Sequence, residues 1–418
     1  MDVIIRKSEI HGSVFVSPSK SYTHRAFISA SLSKKATIFN PLLSADTIAT
    51  LKACKKIGAN FSRTGNSFEF TGTDKICGGY FNFENSGTTL RIFTGLLSLS
   101  AEISKLDGDA SLRTRPNKEL VNVLKKLGAT AKGDEAFRAP FKIKGIIKGG
   151  EVEIKAESSQ FISSLLFSLP LVKGGSRLKV IATKSRPYID VTLDVLEKCG
   201  VKIEKFGNEF LIPGEQEFRL KKFEVPADFS SASYLIAAGV LAGEVSILNA
   251  FDSMQGDRRI VEICREMGAD VQWKREKGLI IANKSDLYPI SFDASDTPDL
   301  VPTVAILSAT ANGVSEIYNA EHLRIKEIDR ISGIARNLRA LGVEVEEKRD
   351  GLIIRGGKKE FFGTVDSFGD HRMALAFSLL GLLGEVKCKN AEVVNVSYPG
   401  FFEDLRRICA KVEFLHTI

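Results

Sequence analysis

Apolar and polar positions along this chain fall into a phrase that recurs. An amphipathic helix closes on glycine and is followed by a strand, a tight turn and a second strand. The phrase runs from Leu51 (LKACKKIGANFSRTGNSFEFTG) and from Leu120 (LVNVLKKLGATAKGDEAFRAPFKIKG). It returns from Leu193, Val261 and Ala335. The closing glycines are Gly58, Gly128, Gly200, Gly268 and Gly342, separated by 70, 72, 68 and 74 residues. Glycine suits the place because the residue after a helix often needs positive φ.

A second phrase keeps the same step: a polar cluster, a helix of small apolar residues, and a strand. The clusters begin near Lys20, Asn85, Ser158, Asp228, Asp299 and Asp370, spaced 65, 73, 70, 71 and 71. Two independent phrases with one period define a βαβαββ unit of about 70 residues, present six times. The predicted fold class is therefore α/β of the α+β type, with two similar domains of three repeats each. The last copy stops after Val412-Glu413-Phe414-Leu415. Its missing strand is expected at the N-terminus, where Asp2-Val3-Ile4-Ile5-Arg6 matches Gly351-Leu352-Ile353-Ile354-Arg355. The expected domains are then residues 15–224, and residues 1–14 with 225–418. The chain would cross between them near 13–15 and 223–227, which predicts a hinge.

The second class of helix is apolar nearly all round, as in Ser231-Ala232-Ser233-Tyr234-Leu235-Ile236-Ala237-Ala238. Such helices belong in the interior, with sheets and amphipathic helices outside. Their first turns still carry free N–H groups, and the polar clusters sit there. Capping is the simplest account of any one cluster. Cations at several of them (Lys20 and Arg25, Arg91, Arg372) oppose the helix dipole, so an anionic ligand is the better account of the set.

Composition narrows the function classes. The chain has 418 residues, 44% hydrophobic and 26% charged, with 58 Lys+Arg against 51 Asp+Glu for a net charge of +7. No run of five like charges suggests a nucleic-acid tail, while small acidic substrates fit. The six cysteines form no CxxC pair and do not alternate with histidine. This argues against zinc and disulfides and suggests a reducing cytoplasm. No apolar stretch of 18 residues and no secretory leader are evident. Cys54, Cys264 and Trp273 are expected in the core, and His11 and His416 lie outside every motif.

Eight motifs occur in order along all six repeats: SKSYTHR, NSGTTLR, SLRTRP, SSQF, RPYID, PDLVPT, RIKEIDR and GDHRMA. Together they resemble the 3-phosphoshikimate 1-carboxyvinyltransferase (EPSP synthase) family of enolpyruvyl transferases. The resemblance implies an inside-out α/β barrel fold in each domain. It also implies transfer of the enolpyruvyl group of phosphoenolpyruvate to the 5-hydroxyl of shikimate 3-phosphate, releasing phosphate through a tetrahedral intermediate. No metal or organic cofactor is implied. The partners would be the two small substrates, with no nucleic acid and no membrane, and the protein a cytoplasmic monomer.

Carried onto this sequence, the family pattern places Lys20, Ser21 and Arg25 at the shared site, with Lys20 touching both substrates. Ser158, Ser159, Gln160 and Ser185 would hold shikimate 3-phosphate, whose hydroxyls would meet Asp299, His322 and Lys326. Phosphoenolpyruvate would meet Lys20, Asn85, Gly87, Arg115, Gln160, Arg330 and Arg372. Asp299 would accept the 5-hydroxyl proton and Glu327 would protonate the methylene, giving Asp299, Glu327 and Lys20 as the catalytic set. Asp228, Asp329 and Asp370 would cap helices or orient arginines. RIKEIDR alone reads as a solvated helix face laced with ion pairs.

Two positions depart from the pattern. His322 stands where many bacterial members have Asn, and Val396 stands where they have Lys. The second implies a weaker grip on phosphoenolpyruvate and on anionic analogues such as glyphosate. Two other readings compete with this one. The UDP-N-acetylglucosamine enolpyruvyl transferases carry a reactive Cys where Ala110 stands here. An RNA-binding or RNA-end-processing protein would need clustered cations with stacking aromatics, whereas these cations sit singly at helix starts.

Overall fold

The computed structural model describes residues 1–156 and 158–415; His416 lies outside them. Twelve α-helices alternate in kind among the described residues: α1 (Lys20–Ser31), α2 (Ala45–Lys56), α3 (Gly87–Leu97), α4 (Lys118–Lys126), α5 (Ser159–Ser168), α6 (Pro187–Lys198), α7 (Phe229–Ala242), α8 (Ile260–Glu266), α9 (Val301–Thr310), α10 (Arg330–Ala340), α11 (His371–Ser378) and α12 (Phe401–Arg407). The odd-numbered helices are the more deeply buried ones. Every residue of α7, α9 and α11 is buried. The even-numbered helices bury one stripe, as α4 does with Leu120, Val121, Val123 and Leu124. The five closing glycines all have positive φ, from 75° at Gly342 to 116° at Gly58.

Each repeat forms one four-stranded sheet with the order first, second, fourth, third. The opening pair is parallel and the other two are antiparallel, as in Gly79–Asn82, Ser104–Asp107, Phe141–Lys144 and Thr130–Lys132. Among the described residues there are six separate sheets, and none closes on itself into a barrel. Each sheet instead buries one face against the helices of its own unit.

The chain divides into two compact units, Met1–Ser17 with Pro226 onward, and Pro18–Val225. The first crossing lies three residues later than expected, because the strand Ile10–Phe15 stays paired through Phe15 with Gly243–Leu248. Asp228 N–H also holds Ser17 O at 2.8 Å. Two strands change places at the crossings. Ile10–Phe15 precedes α1 in sequence yet lies beside the strand after α7. Lys222–Glu224 precedes α7 yet lies parallel to Lys35–Phe39, after α1. The N-terminal strand Asp2–Arg6 pairs antiparallel with both Glu385–Lys389 and Lys411–Leu415.

Each unit has its own apolar core. Hydroxyls join the central helices within it. Thr50 Oγ1 lies 2.7 Å from Thr89 Oγ1 between α2 and α3, and Ser233 Oγ lies 3.0 Å from Thr303 Oγ1 between α7 and α9. Helices α3 and α5 approach so closely that a Cβ on Gly95 would stand 2.5 Å from Ser164 Oγ, so the contact requires glycine there. Cys54, Cys264 and Trp273 are packing residues. Both thiols are fully buried, and the indole N–H donates to Ala250 O at 2.8 Å.

Candidate active site

Of the expected site residues, Lys20, Ser21, Arg25, Asn85, Gly87, Arg115, Ser158, Ser159, Gln160 and Ser185 fall in the unit of residues 18–225. Asp299, His322, Lys326, Glu327, Arg330 and Arg372 fall in the other. The two sets are built differently.

In the first set, serines cap the central helices. Ser19 caps α1, Ser86 caps α3 and Ser158 caps α5, each accepting a backbone N–H of the first turn. Their caps add no charge, so the helix starts keep their positive character. Lys20 Nζ bonds Asp46 Oδ2 at 2.9 Å. Arg25 is only 1% exposed, and all its partners are neutral: Thr192 Oγ1 (2.8 Å), Ser21 O (2.9 Å), Ser163 Oγ (3.2 Å) and Tyr188 O (3.2 Å). Burial lowers its pKa to about 10. His24, buried beside Thr50 Oγ1 at 2.7 Å, is held neutral by burial and the nearby Lys20 and Arg25.

Gly87 sits inside a ring of polar groups. A Cβ there would stand 3.0 Å from Arg115 Nη1, 3.6 Å from Gln160 Oε1 and 3.7 Å from Arg91 Nη1. Gln160 joins two of these repeats, accepting from Arg91 Nη1 (2.5 Å) and donating to Thr88 Oγ1 (2.8 Å). Arg115 Nη2 donates to Asn85 Oδ1 (3.0 Å) and Ser111 Oγ (3.1 Å), both neutral. Asn85 in turn donates to Asp109 Oδ2 at 2.7 Å. Ser185 is buried with φ of 59°, in the turn just before α6. Arg113, the other arginine of SLRTRP, pairs with Asp107 and is half exposed.

In the second set, aspartates stand at the helix starts. Asp228 caps α7, Asp370 caps α11, and Asp299 lies in the turn Pro298–Leu300 that leads into α9. Arg330, 1% exposed, joins Asp299 and Asp370 to Glu327. Its Nε reaches Asp370 Oδ2 (2.6 Å), Nη1 reaches Asp299 Oδ1 (2.9 Å) and Nη2 reaches Glu327 Oε2 (2.6 Å). Burial opposes its charge, but the three carboxylates outweigh burial and raise its pKa. Arg372 Nη2 takes the other oxygen of Asp299 at 2.8 Å, and its Nη1 meets Tyr234 OH at 3.3 Å. Burial raises the Asp370 pKa, with Arg330 pulling the other way.

The run RIKEIDR divides in two. Arg324 makes the expected surface pairs, with Asp329 (2.7 Å) and Glu347 (3.1 Å). Arg330 turns into the interior instead, which corrects the reading of the whole run as a solvated face. His322 is buried in the turn Glu321–Ile325, with Lys326 directly after it. Val396 ends the turn Ala391–Val396 and is half-buried.

Sequence reasoning missed Asp46, Arg91 as a ligand of Gln160, and Asp257. The last is 4% exposed and accepts from Ser230 Oγ. Its signal was the period: Asp46 and Asp257 stand 211 residues apart, three repeats, at matching helix starts.

Buried arginines at glycine- and serine-lined helix starts suit phosphorylated anions, and carboxylates held by arginines suit proton transfer. Comparison with known proteins agrees. The family model described as EPSP synthase (3-phosphoshikimate 1-carboxyvinyltransferase) matches residues 5–405. The chain belongs to the EPSP synthase family. It is 64% identical over 413 residues to the 3-phosphoshikimate 1-carboxyvinyltransferase of Archaeoglobus fulgidus, covering 99% of each chain. With the Methanosarcina mazei protein of the same name it shares 46% over 428 residues, again 99% of each. Among solved structures, an EPSP synthase from Acinetobacter baumannii superposes with a TM-score of 0.83 at 26% identity, covering 99% of this chain and 100% of that one. The enolpyruvyl transferase NikO from Streptomyces tendae, at 18% identity and TM-score 0.81, shares the fold. No helix among the described residues is long and apolar enough to cross a membrane.

Proposed function

We infer that this chain carries out the reaction of its family, transferring the enolpyruvyl group of phosphoenolpyruvate to the 5-hydroxyl of shikimate 3-phosphate and releasing phosphate. Membership supports the reaction, and the geometry suggests a division of labour. The observation that carries it is the asymmetry of the arginines. Arg25 and Arg115 are buried against neutral acceptors only, while Arg330 and Arg372 clasp Asp299. A buried cation with no anion beside it is costly, and a ligand phosphate or carboxylate relieves that cost.

In this reading Ser158, Ser159, Gln160 and Ser185, with Lys20, Ser21 and Arg25, receive shikimate 3-phosphate. The Gly87 ring, with Arg115, Gln160 and Asn85, receives phosphoenolpyruvate. Arg330 and Arg372 take its remaining negative charge. As they turn to the ligand they loosen their hold on Asp299, whose carboxylate then accepts the 5-hydroxyl proton. Glu327 delivers a proton to the methylene carbon, and Lys326 with His322 orients the ring hydroxyls. In the tetrahedral adduct the new methyl group then returns a proton to the Glu327 carboxylate, the carbon–carbon double bond re-forms, and phosphate leaves as its C–O bond breaks. The protein is proposed to act in the cytoplasm as a monomer.

The test is phosphate release from the two substrates. The parent should turn over, while Asp299→Asn and Glu327→Gln should each lose roughly 10²–10⁴-fold in kcat. Both should keep a parental unfolding transition. No release by the parent overturns the assignment, and near-parental turnover by either variant removes that residue's role.

A further inference from the structure

Asp257 has no role in the scheme above, yet it stands among the groups that do. It lies in the turn Gly256–Arg259 ahead of α8, and Ser230 Oγ, in the first turn of α7, donates to its Oδ2. Gln255, two residues earlier, fixes the same helix start. Its Oε1 takes Phe229 N–H at 3.1 Å and its Nε2 donates to Ala227 O at 2.6 Å. One turn beyond Ser230 on α7, Tyr234 OH meets Arg372 Nη1 (3.3 Å), and Arg372 Nη2 holds Asp299 Oδ2 (2.8 Å), so one helix face joins Asp257 to the Arg372–Asp299 pair. The charges that act on Asp257 are those of Asp299, Arg372 and Asp228. On its own turn, Arg258 reaches Asp252 (2.6 Å) and Ser253 O (2.9 Å), and Arg259 lies over the Phe292 ring.

The internal repeat supplies a comparison. In the first repeat the matching acid, Asp46, accepts from Lys20 Nζ at 2.9 Å. Three repeats on, Ser230 stands 210 residues beyond Lys20 and offers only a hydroxyl. The acid has been kept and its cation replaced. Burial, and then the like charge of Asp299, push the Asp257 pKa up to about 7, with Arg372 and the Ser230 hydroxyl opposing.

We propose that Asp257 is a positioning residue for proton transfer, whose charge state sets how strongly Asp299 draws the proton from the acceptor hydroxyl. The inference rests on the reading of Asp299 as that acceptor. While Asp257 is protonated, Asp299 answers mainly to its two arginines. Once Asp257 ionises, its negative charge favours the protonated form of Asp299 and strengthens it as a base. The two acids titrate as a pair. Since Asp257 loses its proton as pH rises through neutrality, kcat climbs by a step there.

The pH profile of kcat tests this with the parent, Asp257→Asn and Ser230→Ala. The parent should show the step near pH 7. Asp257→Asn keeps the shape of the side chain and an acceptor for Ser230. It should lose the step, with kcat above neutrality down about tenfold and both KM values unchanged within about twofold. Ser230→Ala removes a hydroxyl that favours the ionised acid, so its step should move to higher pH. A step retained in Asp257→Asn, or a step in Ser230→Ala that stays or moves down, overturns the proposal. If Asp257→Asn does not fold, the Ser230→Ala profile decides. Near-parental turnover by Asp299→Asn would defeat the reading of Asp299. An inactive Asp299→Asn beside an Asp257→Asn that keeps its step would defeat only the present inference.

Discussion

The two units share one architecture but charge its helix starts differently. In one, the central helices begin with Ser19, Ser86 and Ser158; in the other, Asp228, Asp299 and Asp370 stand at the corresponding starts. Serine satisfies a helix N–H without adding a charge, so the dipole and the nearby Arg25 and Arg115 meet no carboxylate from the cap. Aspartate answers them from within the protein. The serine-capped unit therefore suits an anion from outside. The aspartate-capped unit holds carboxylates in place with Arg330 and Arg372. Fold repetition supplies six equivalent helix starts, and one change of residue decides which of them carry a carboxylate of their own.

The sharpest way to break this comparison is to remove the most deeply buried arginine of each unit. Arg330→Met leaves Asp299, Glu327 and Asp370 crowded without their hub, and should cost about 3–5 kcal/mol of stability. Arg25→Met removes a buried cation whose partners are all neutral, and should cost only about 1–3 kcal/mol. Urea unfolding checks both values. Equal losses would mean that Arg25 has an internal counter-charge and that the contrast between the units is wrong. The folded Arg25→Met protein should instead show a raised KM for shikimate 3-phosphate.

A gentler test changes a cap. Ser158→Asp should still cap α5, so the unfolding midpoint should hold or rise by about 1 kcal/mol at most. The new carboxylate would face the proposed phosphate site, and KM for shikimate 3-phosphate should rise about a hundredfold. An unchanged KM would place the phosphate elsewhere.

Much of this was legible in the sequence because repetition doubles every signal. The closing glycines, the apolar helices and the polar helix starts each returned at about 70 residues, so the six βαβαββ units could be counted before any sheet was seen. The short strand Lys222–Glu224 was not legible as the partner of Lys35–Phe39. Three residues carry little pattern, and parallel pairing across such a long separation leaves no local trace. Charge spacing alone could not set Arg330 apart from its neighbours, because charge density cannot tell which way a side chain turns; only the family resemblance singled it out. Asp257 was hidden because a buried acid beside a serine has no spacing rule, and only alignment with Asp46 exposes it.

The smallest expected effect lies at Val396, where the family resemblance leads one to expect Lys. Val396 is half-buried at the end of the turn Ala391–Val396, in the aspartate-rich unit. If that unit answers its own charges internally, it can tolerate the loss of a peripheral cation, and its grip on phosphoenolpyruvate should be weakened rather than abolished. Val396→Lys should then lower KM for phosphoenolpyruvate about three- to tenfold, corresponding to roughly 0.7–1.4 kcal/mol, with KM for shikimate 3-phosphate unchanged. Steady-state kinetics with each substrate varied in turn gives the answer. No change in the phosphoenolpyruvate KM would mean that the arginines already supply all the charge this substrate meets, and that the departure at Val396 is without functional consequence.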